Sequence, residues 1–255
     1  MKIDLKDVTF IIPIKIDSED RLVNYNIIIN HLTNLFDTNI IVCESDEISN
    51  ENVLNIHEDI KYVFHENKEK YFHRTKILNL MTKLSKTKIV CNYDTDVIFS
   101  EQQYLSSVKK IKEGCTIVFP YSGKFMNVPN NLFNLIKENK FDGIYEKDLE
   151  LAHPNSVGGA FFFEKDKYFK IGLENENFIS WGFEDNERVS RVIKLGEKMC
   201  RVPGLLYHLN HERGVNSVPE NPFYKKNMLE FNKINSMSKL DLENYIKKWS
   251  WVNGN

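Results

Sequence analysis

Two carboxylates sit where an apolar run breaks. Residues 89–91 (Ile-Val-Cys) read as a buried strand, the chain turns polar at Asp94-Thr95-Asp96, and apolar character resumes at Val97-Ile98-Phe99. Extended residues two apart point to the same side, so Asp94 and Asp96 converge on one point at a strand end. Such a pair suits a divalent cation bound to phosphate oxygens. A plain turn, in which aspartate is common, is the competing reading.

Three further groups have chemistry to offer. His208 and His211 stand three apart, a spacing that lets both imidazoles reach one ion from a helical turn or a bent strand end. A carboxylate with imidazoles suits a borderline cation such as Mn²⁺ better than Ca²⁺; two structural histidines flanking a turn are the alternative. In Trp181-Gly182-Phe183-Glu184-Asp185 a flat aromatic and a flexible neighbour precede two acids. The helix dipole alone favours acids in a first turn. The Trp-Gly pair adds the surface a sugar wants, with ring C–H faces on the indole and hydroxyls on the carboxylates. One acid could serve as general base toward a hydroxyl nucleophile. Phe72-His73-Arg74-Thr75-Lys76, with Asn79, opens a helix. There Arg74 and Lys76 could neutralise phosphates and Phe72 stack on a base, or all three form a solvated face.

These groups need elements to hold them. Residues 8–14 form a continuous apolar run, a buried first strand whose ligand-facing end lies at residues 13–17. Helical spacing follows over residues 21–36, with Ser18, Glu19 and Asp20 as start signals. Strands are expected at 40–43 and 62–64, separated by a polar loop with a short helix. An amphipathic helix over 73–84 leads into the strand that delivers Asp94 and Asp96. This alternation implies an α/β fold, a largely parallel sheet with its crevice beyond the carboxyl ends of the strands. A helix is expected over 102–112 and a strand over 115–121. Residues 127–152 read as a mixed helical and loop insertion. Gly158-Gly159 before Ala160-Phe161-Phe162-Phe163 suggests a close backbone approach and then a strand. The helix from Glu184 to Leu195 should turn Val189, Val192, Ile193 and Leu195 inward and stop at Gly196, and an extended segment over 202–209 delivers the histidines. A capping box at Ser238 and Asp241 starts a last helix bearing Leu242, Tyr245, Ile246 and Trp249. The expected organisation is one domain over 1–220 and a helical tail over 221–255, packed on it or extending from it.

With 255 residues, 42% hydrophobic, the chain can bury a full core. A formal net charge of -2 argues against nucleic acid as a partner. Cys43, Cys91, Cys115 and Cys200 show no CxxC spacing and read as buried free thiols in a reducing compartment. No apolar stretch has the length of a signal peptide or membrane span, so a cytoplasmic location is expected.

In this order the motifs resemble GT-A-fold glycosyltransferases, and among them the beta-1,4-galactosyltransferase family with its bacterial chondroitin-polymerase-like relatives. The resemblance runs from Val8 to Asn216 and rests on several motifs in one order. It implies a Rossmann-like, mixed and mostly parallel central sheet flanked by helices, and a transferase that uses a UDP-sugar with Mn²⁺ or Mg²⁺. The segment from Phe72 to Asn79 looks like the nucleotide-contacting segment, implying that Phe72 and Arg74 touch the UDP. Asp94-Thr95-Asp96 looks like the DxD element, with Asp96 the metal ligand and Asp94 a nucleotide contact. Gly158-Gly159 resembles the glycines lining the sugar site. Trp181 to Asp185 is similar to the WGGED element, implying an acceptor-binding Glu184 and a catalytic base at Asp185. Phe183 departs from the family's glycine there and is expected to narrow the acceptor site.

Downstream, His211-Glu212-Arg213 is similar to the metal-binding histidine and the arginine after it. His208 falls where animal enzymes place a methionine, which favours a harder ion. Pro13 matches the proline after the first strand, and Lys15 and Arg21 reproduce part of the basic set behind it. Ser156 resembles the position where a bulky residue restricts the donor to galactose, and the resemblance implies that a small serine there could admit an N-acetyl group, as in UDP-GalNAc. Asp185, where retaining relatives carry asparagine, implies inversion. The expected function is an inverting, metal-dependent transfer of a hexose or N-acetylhexosamine, galactose-type favoured, from a UDP-sugar to a sugar hydroxyl acceptor in bacterial polysaccharide assembly. The alternatives are a non-catalytic sugar- or nucleotide-binding module and a sugar nucleotidyltransferase. The tail, with Lys and Trp over 232–251, leaves open contact with the inner face of a membrane or with a partner transferase.

Overall fold

The computed structural model describes residues 1–212, 214–216 and 218–253. In chain order the elements are β1 (Ile3–Ile14), α1 (Glu19–Leu35), β2 (Phe36–Asp46), β3 (Ile60–Glu66), α2 (Arg74–Leu84), β4 (Ile89–Tyr93), β5 (Val97–Ile98), α3 (Glu101–Lys112), β6 (Ile117–Phe119) and β7 (Phe125–Val128). There follow α4 (Phe133–Lys137), β8 (Glu150–His153), β9 (Ala160–Glu164), α5 (Lys165–Lys170), α6 (Glu184–Leu195), β10 (Met199–Arg201), β11 (Leu206–Leu209), α7 (Tyr224–Ser236), α8 (Lys239–Ile246) and α9 (Ser250–Asn253).

A seven-stranded sheet in the order β10-β6-β9-β4-β1-β2-β3 carries the core. Its pairings are parallel except at β9, which runs against both β4 and β6. The apolar run of β1 is buried from Val8 to Ile14 because strands flank it on both sides. Pro13 lies beyond the last β4 partner, at Ile11 against Asn92, so it has a sheet neighbour only on the β2 side and its missing N–H breaks no ladder with β4. Ser18 caps α1 by accepting from the Arg21 N–H.

A second sheet, β5-β11-β7-β8, stands beside the first. Two of its strands, β7 and β8, overlap the ends of the stretch expected to be helix and loop, which between them does hold α4 and short helical turns. Both strands are short, and the local spacing carries no alternation strong enough to mark them. β2 is also longer than expected, reaching Asp46, and bends and turns take the place of the short helix beyond it.

α6 corrects the apolar pattern. Ile193 is 60% exposed and Val189 and Leu195 are only partly covered, so of the expected inward residues Val192 alone is fully buried. Glu187, Arg188 and Arg191 are inward instead. The Arg188 guanidinium lies 4.0 Å from the Phe161 ring centroid and binds Glu174 through Nε at 2.9 Å and Nη2 at 3.1 Å. Arg191 Nε donates to Glu187 at 2.7 Å, and its guanidinium faces the Trp249 ring. A guanidinium can cover an aromatic face and satisfy a carboxylate at once, which no aliphatic side chain does.

The tail holds two helices before α9 where one was expected. Ser238 starts α8 as its cap, but that helix ends at Ile246, short of Trp249. Ile234, Leu242, Ile246 and Trp249 form a second apolar cluster that Leu195 of α6 joins. Among the described residues no helix is long and apolar enough to cross a membrane. Cys43 and Cys91 are buried free thiols, but Cys115 and Cys200 form a disulfide across 85 residues, tying the segment before β6 to β10. That pairing corrects the expectation of four free thiols and removes the cysteine ground for a reducing compartment. Spacing along the chain held no sign of it, because the two halves meet only through the β6–β10 ladder.

Two outcomes follow. Arg191→Met leaves Glu187 as a buried, uncompensated carboxylate and should cost about 3–5 kcal/mol in urea unfolding, most of it recovered in the double variant Glu187→Leu with Arg191→Met. Thiol titration in denaturant should count Cys43 and Cys91 alone before reduction and all four cysteines after it.

Candidate active site

At the carboxyl ends of β1 and β4 a cleft of about 560 Å³ opens between the two sheets and the start of α6. It gathers most of the residues that the motifs singled out; Lys76 is exposed on α2 outside the lining, and Asn79 is buried against Glu174 and Glu176 instead. Pro13 and Lys15 come from the end of β1, and Phe72 and Arg74 from the entry to α2. Asp94, Thr95 and Asp96 come from the turn between β4 and β5, and Gly159 from the approach to β9. Trp181, Glu184 and Asp185 stand at the head of α6, with His208 and His211 at the end of β11. Arg213 lies outside the described residues.

Asp96, His208 and His211 each aim one ligand atom into a group whose atoms lie within 4.8 Å of one another. Pairing of β5 with β11 puts Val97 opposite His208, so the strand ladder itself brings the imidazole to the aspartate. His211 Nε2 is 3.0 Å and His208 Nε2 4.0 Å from the same oxygen, Asp96 Oδ2. Behind each ring stands an acceptor for Nδ1–H: Asn127 Oδ1 at 2.9 Å for His208 and the Glu212 carbonyl at 2.7 Å for His211. With Nδ1 so engaged, both Nε2 atoms point inward, the arrangement that orients histidine ligands in metal sites. Burial pushes the Asp96 carboxyl up, but the bond from His211, with His208 and Arg21 nearby, outweighs it and holds the group below the usual carboxylate range. One carboxylate and two imidazoles at this separation fit a borderline divalent cation.

Asp94 faces the same cleft but has a different partner. Arg74 Nη2 donates to Asp94 Oδ1 at 2.5 Å, while Arg74 Nη1 is buried with no hydrogen-bond partner among the described residues. A buried guanidinium N–H at a cleft wall is a donor to spare for an anionic ligand. Burial raises the Asp94 carboxyl to about 6, against the pull of Arg74 and with a push from Asp96. The entry to α2 is fastened by Asn216, whose Oδ1 accepts from the Phe72 N–H at 2.8 Å and from Ser180 Oγ at 3.1 Å. Lys15 and Arg21 are spent on the chain's own acids, Lys15 on Asp46 and Arg21 on Asp17, both at 2.8 Å.

Asp185 is held from two sides. Its Oδ1 accepts from Arg188 Nη2 at 2.8 Å. Its Oδ2 lies against Gly158, where an added Cβ would fall 2.6 Å away, so only glycine lets the carboxylate come this close to the backbone. Gly159 has φ +82, and a Cβ there would meet Leu206 at 2.7 Å. Glu184 is buried behind Asp185 and accepts from the Gly182 N–H at 3.0 Å. Burial and the Asp185 charge raise its carboxyl to about 7, opposed by Arg74. Trp181 is 38% exposed at the rim. Phe183 does not narrow the cleft: its ring turns outward onto Tyr224 and Phe231 of α7.

Several site residues had escaped attention. Asn127 and Asn216 act through hydrogen bonds to other site groups, and Arg188 is the buried partner of Asp185. Tyr121 donates to the Gly158 carbonyl at 2.7 Å, and Arg201 to the Ser156 carbonyl at 2.9 Å, bracing the loop ahead of the glycines. Only Arg188 left a signal, three residues after an acid on one helix face.

The chain was compared with known proteins. Residues 141–213 match the family model described as the N-terminal domain of galactosyltransferase. No curated protein sequence matches the chain. Among solved structures, glucosyl-3-phosphoglycerate synthase from Mycobacterium tuberculosis, in complex with Mn²⁺, UDP and phosphoglyceric acid, is similar at a TM-score of 0.53 and 12% identity, over 88% of this chain and 78% of that one. The same enzyme with Mg²⁺ and UDP also gives 0.53 at 12% identity, with the same coverage. GalNAc-T7 with UDP, GalNAc and Mn²⁺ gives 0.57 at 14% identity, over 94% of this chain, which spans 54% of that one. The mixed, mostly parallel sheet flanked by helices is therefore the GT-A glycosyltransferase fold, and within it residues 141–213 are similar to the galactosyltransferase family.

Proposed function

We propose that the protein transfers a hexose or N-acetylhexosamine from a UDP-sugar to a hydroxyl of a saccharide acceptor, with inversion at the anomeric carbon. The observation that carries this reading is the meeting, in one cleft, of the Asp96–His208–His211 group with an Asp185 carboxylate fixed by Arg188. The fold and the metal and UDP of its structural neighbours support it.

In this reading Phe72 stacks on the base, and the unpartnered Nη1 of Arg74 meets the diphosphate. Asp94 keeps Arg74 in place, and Asp96, His208 and His211 hold Mn²⁺ or Mg²⁺. When bound, that ion neutralises charge on the diphosphate leaving group. The sugar lies along Gly158-Gly159, beside the small Ser156, which leaves room for an N-acetyl substituent, and the acceptor rests on Trp181. Asp185 Oδ2 takes the proton of the acceptor hydroxyl as its oxygen attacks the anomeric carbon from the face opposite the diphosphate. The bond from that carbon to the diphosphate oxygen breaks, and UDP leaves with its electron pair. The buried Glu184 is placed to bind an acceptor hydroxyl beside the base. A growing chain end of the kind extended in bacterial polysaccharide assembly is an acceptor such a rim can take.

UDP release across a panel of UDP-sugars, with Mn²⁺ and with chelator, tests the reading. Asp185→Asn should bind UDP as the wild type does and lose at least about 10²-fold in transfer, the lower range for a general base. Chelator should abolish transfer, and turnover that survives chelation would remove the metal from the mechanism. Pyrophosphate in place of UDP as product would turn the assignment to a nucleotidyltransferase.

The elevated Glu184 carboxyl makes a separate test. Its folded-state value near 7 lies above the usual 4.5, so the folded chain binds the extra proton and this group's stabilisation is lost as pH rises from 4.5 to 7. Glu184→Gln should therefore raise stability at pH 8 relative to the wild type, by up to about 3 kcal/mol, and leave it little changed at pH 4.5. Thermal melts across this range check the slope.

A further inference from the structure

The segment that carries the rim tryptophan is strained. Ser180 and Phe183 have φ values of 58 and 70, left-handed conformations that cost a non-glycine residue, and Gly182 lies between them at 117. Such a run persists only where its surroundings over-determine it: Asn216 and the Phe72 carbonyl hold Ser180, and α7 holds the residues around it. Asn227, fully buried, donates to the Ile179 carbonyl at 2.9 Å and also reaches the Trp181 carbonyl. Asn221, just before α7, donates to the Trp181 carbonyl at 3.1 Å. The Tyr224 ring stacks on the Trp181 indole at 5.9 Å between centroids, tilted by only 14°. Tyr224 is also the group that a Cβ at Gly182 would strike, at 3.1 Å, and its ring meets Phe183 at 5.1 Å. Phe183 in turn stacks on Phe231, two turns further along the same face of α7.

We propose that Tyr224 is a positioning residue for the acceptor: from α7 it backs one face of the Trp181 indole and holds the other toward the cleft as the surface on which the acceptor sugar stacks. Phe183 clasps α7 to the head of α6, so the same contact sets the register of Trp181 against Glu184 and Asp185. This assignment rests on the proposed glycosyl transfer. It makes α7 part of the acceptor site, although Tyr224 lies outside the cleft and donor contacts have no need of it. An indole free on both faces samples rotamers, and ordering it on binding would cost the acceptor affinity that a preorganised wall retains.

The full-length chain, with UDP and Mn²⁺, is applied to an array of immobilised neutral and acidic saccharides, while UDP affinity is measured separately by calorimetry. Tyr224→Leu keeps the bulk of the packing and removes the flat face; Tyr224→Phe keeps the face. The expected result is saccharide retention by the wild type, at least tenfold weaker retention by Tyr224→Leu with UDP affinity within twofold, and recovery in Tyr224→Phe. Equal retention by wild type and Tyr224→Leu overturns the assignment, as does a parallel fall in UDP affinity, which marks a merely structural role. A wild type that binds UDP but retains no saccharide overturns it too. Failure of the wild type to bind UDP is a different result, sinking the transferase reading itself and this assignment with it.

Discussion

The site depends on a buried cation. Arg188 has no exposed surface, and it is tolerable there because two carboxylates and an aromatic face surround it: Glu174 twice, Asp185 once, and the Phe161 ring below. Taking a guanidinium out of water costs several kcal/mol, recovered only if the partners are held at hydrogen-bond distance. That requirement runs both ways. Glu174 needs Asn79 of α2, which takes its backbone N–H and binds its carbonyl at 2.9 Å, so α2, the loop at 174 and α6 are locked together. Asp185 is thereby fixed at the head of α6 with one oxygen committed and the other turned toward Gly158.

The same logic separates four neighbouring acids that would otherwise repel one another. Asp185 is backed by Arg188 and Asp94 by Arg74, while Asp96 has two imidazoles. Among the described residues Glu184 has only a backbone N–H as hydrogen-bond partner, and its carboxyl is driven furthest up, to about 7, against about 6 for Asp94 with Arg74 beside it. Partners therefore sort like residue types into different tasks, an outcome that the motif letters alone do not state. Geometry reinforces the sorting, because the acidic turn bridges β4 of the large sheet and β5 of the small one. Asp94 leans toward α2 and Asp96 toward β11, whose Leu209 N–H bonds the Asp96 carbonyl at 2.8 Å.

How much of this the chain announces depends on the range of the interaction. Long apolar runs and capped helices are local, and α1, α2 and β4 are legible within about two residues, while β1 begins at Ile3, five residues ahead of its apolar run. The thirteen candidate site residues lie together in the cleft because motifs at strand ends must meet on one edge of an α/β sheet. What stayed hidden is non-local. The inward face of α6 is charged because its partners, Glu174, Phe161 and Trp249, lie far along the chain; hydrophobic periodicity therefore points to Ile193, which is exposed. Cys115 and Cys200 meet only through a ladder between β6 and β10. Asn127 orients His208 only because β7 pairs with β11, and while residues 202–209 read as extended, β7 has no alternation that marks it.

The charge balance of the cleft bears on the proposed chemistry. A diphosphate entering beside Asp94 and Asp96 meets like charge at close range, where unit charges about 4 Å apart repel by about 4 kcal/mol at the effective dielectric of a protein surface. The cations of the β1 loop offset this only in part, since Lys15 is taken up by Asp46 and Arg21, bonded to Asp17 at 2.8 Å, reaches Asp96 only at 3.8 Å. Arg74 brings one unpartnered N–H but is itself paired with Asp94. Against the two charges of a diphosphate these partial compensations fall short among the described residues, and a divalent cation held by Asp96, His208 and His211 would supply the missing positive charge. Under the proposed transfer the acids of this cleft thus make the metal a condition of donor binding as well as an aid to leaving-group departure.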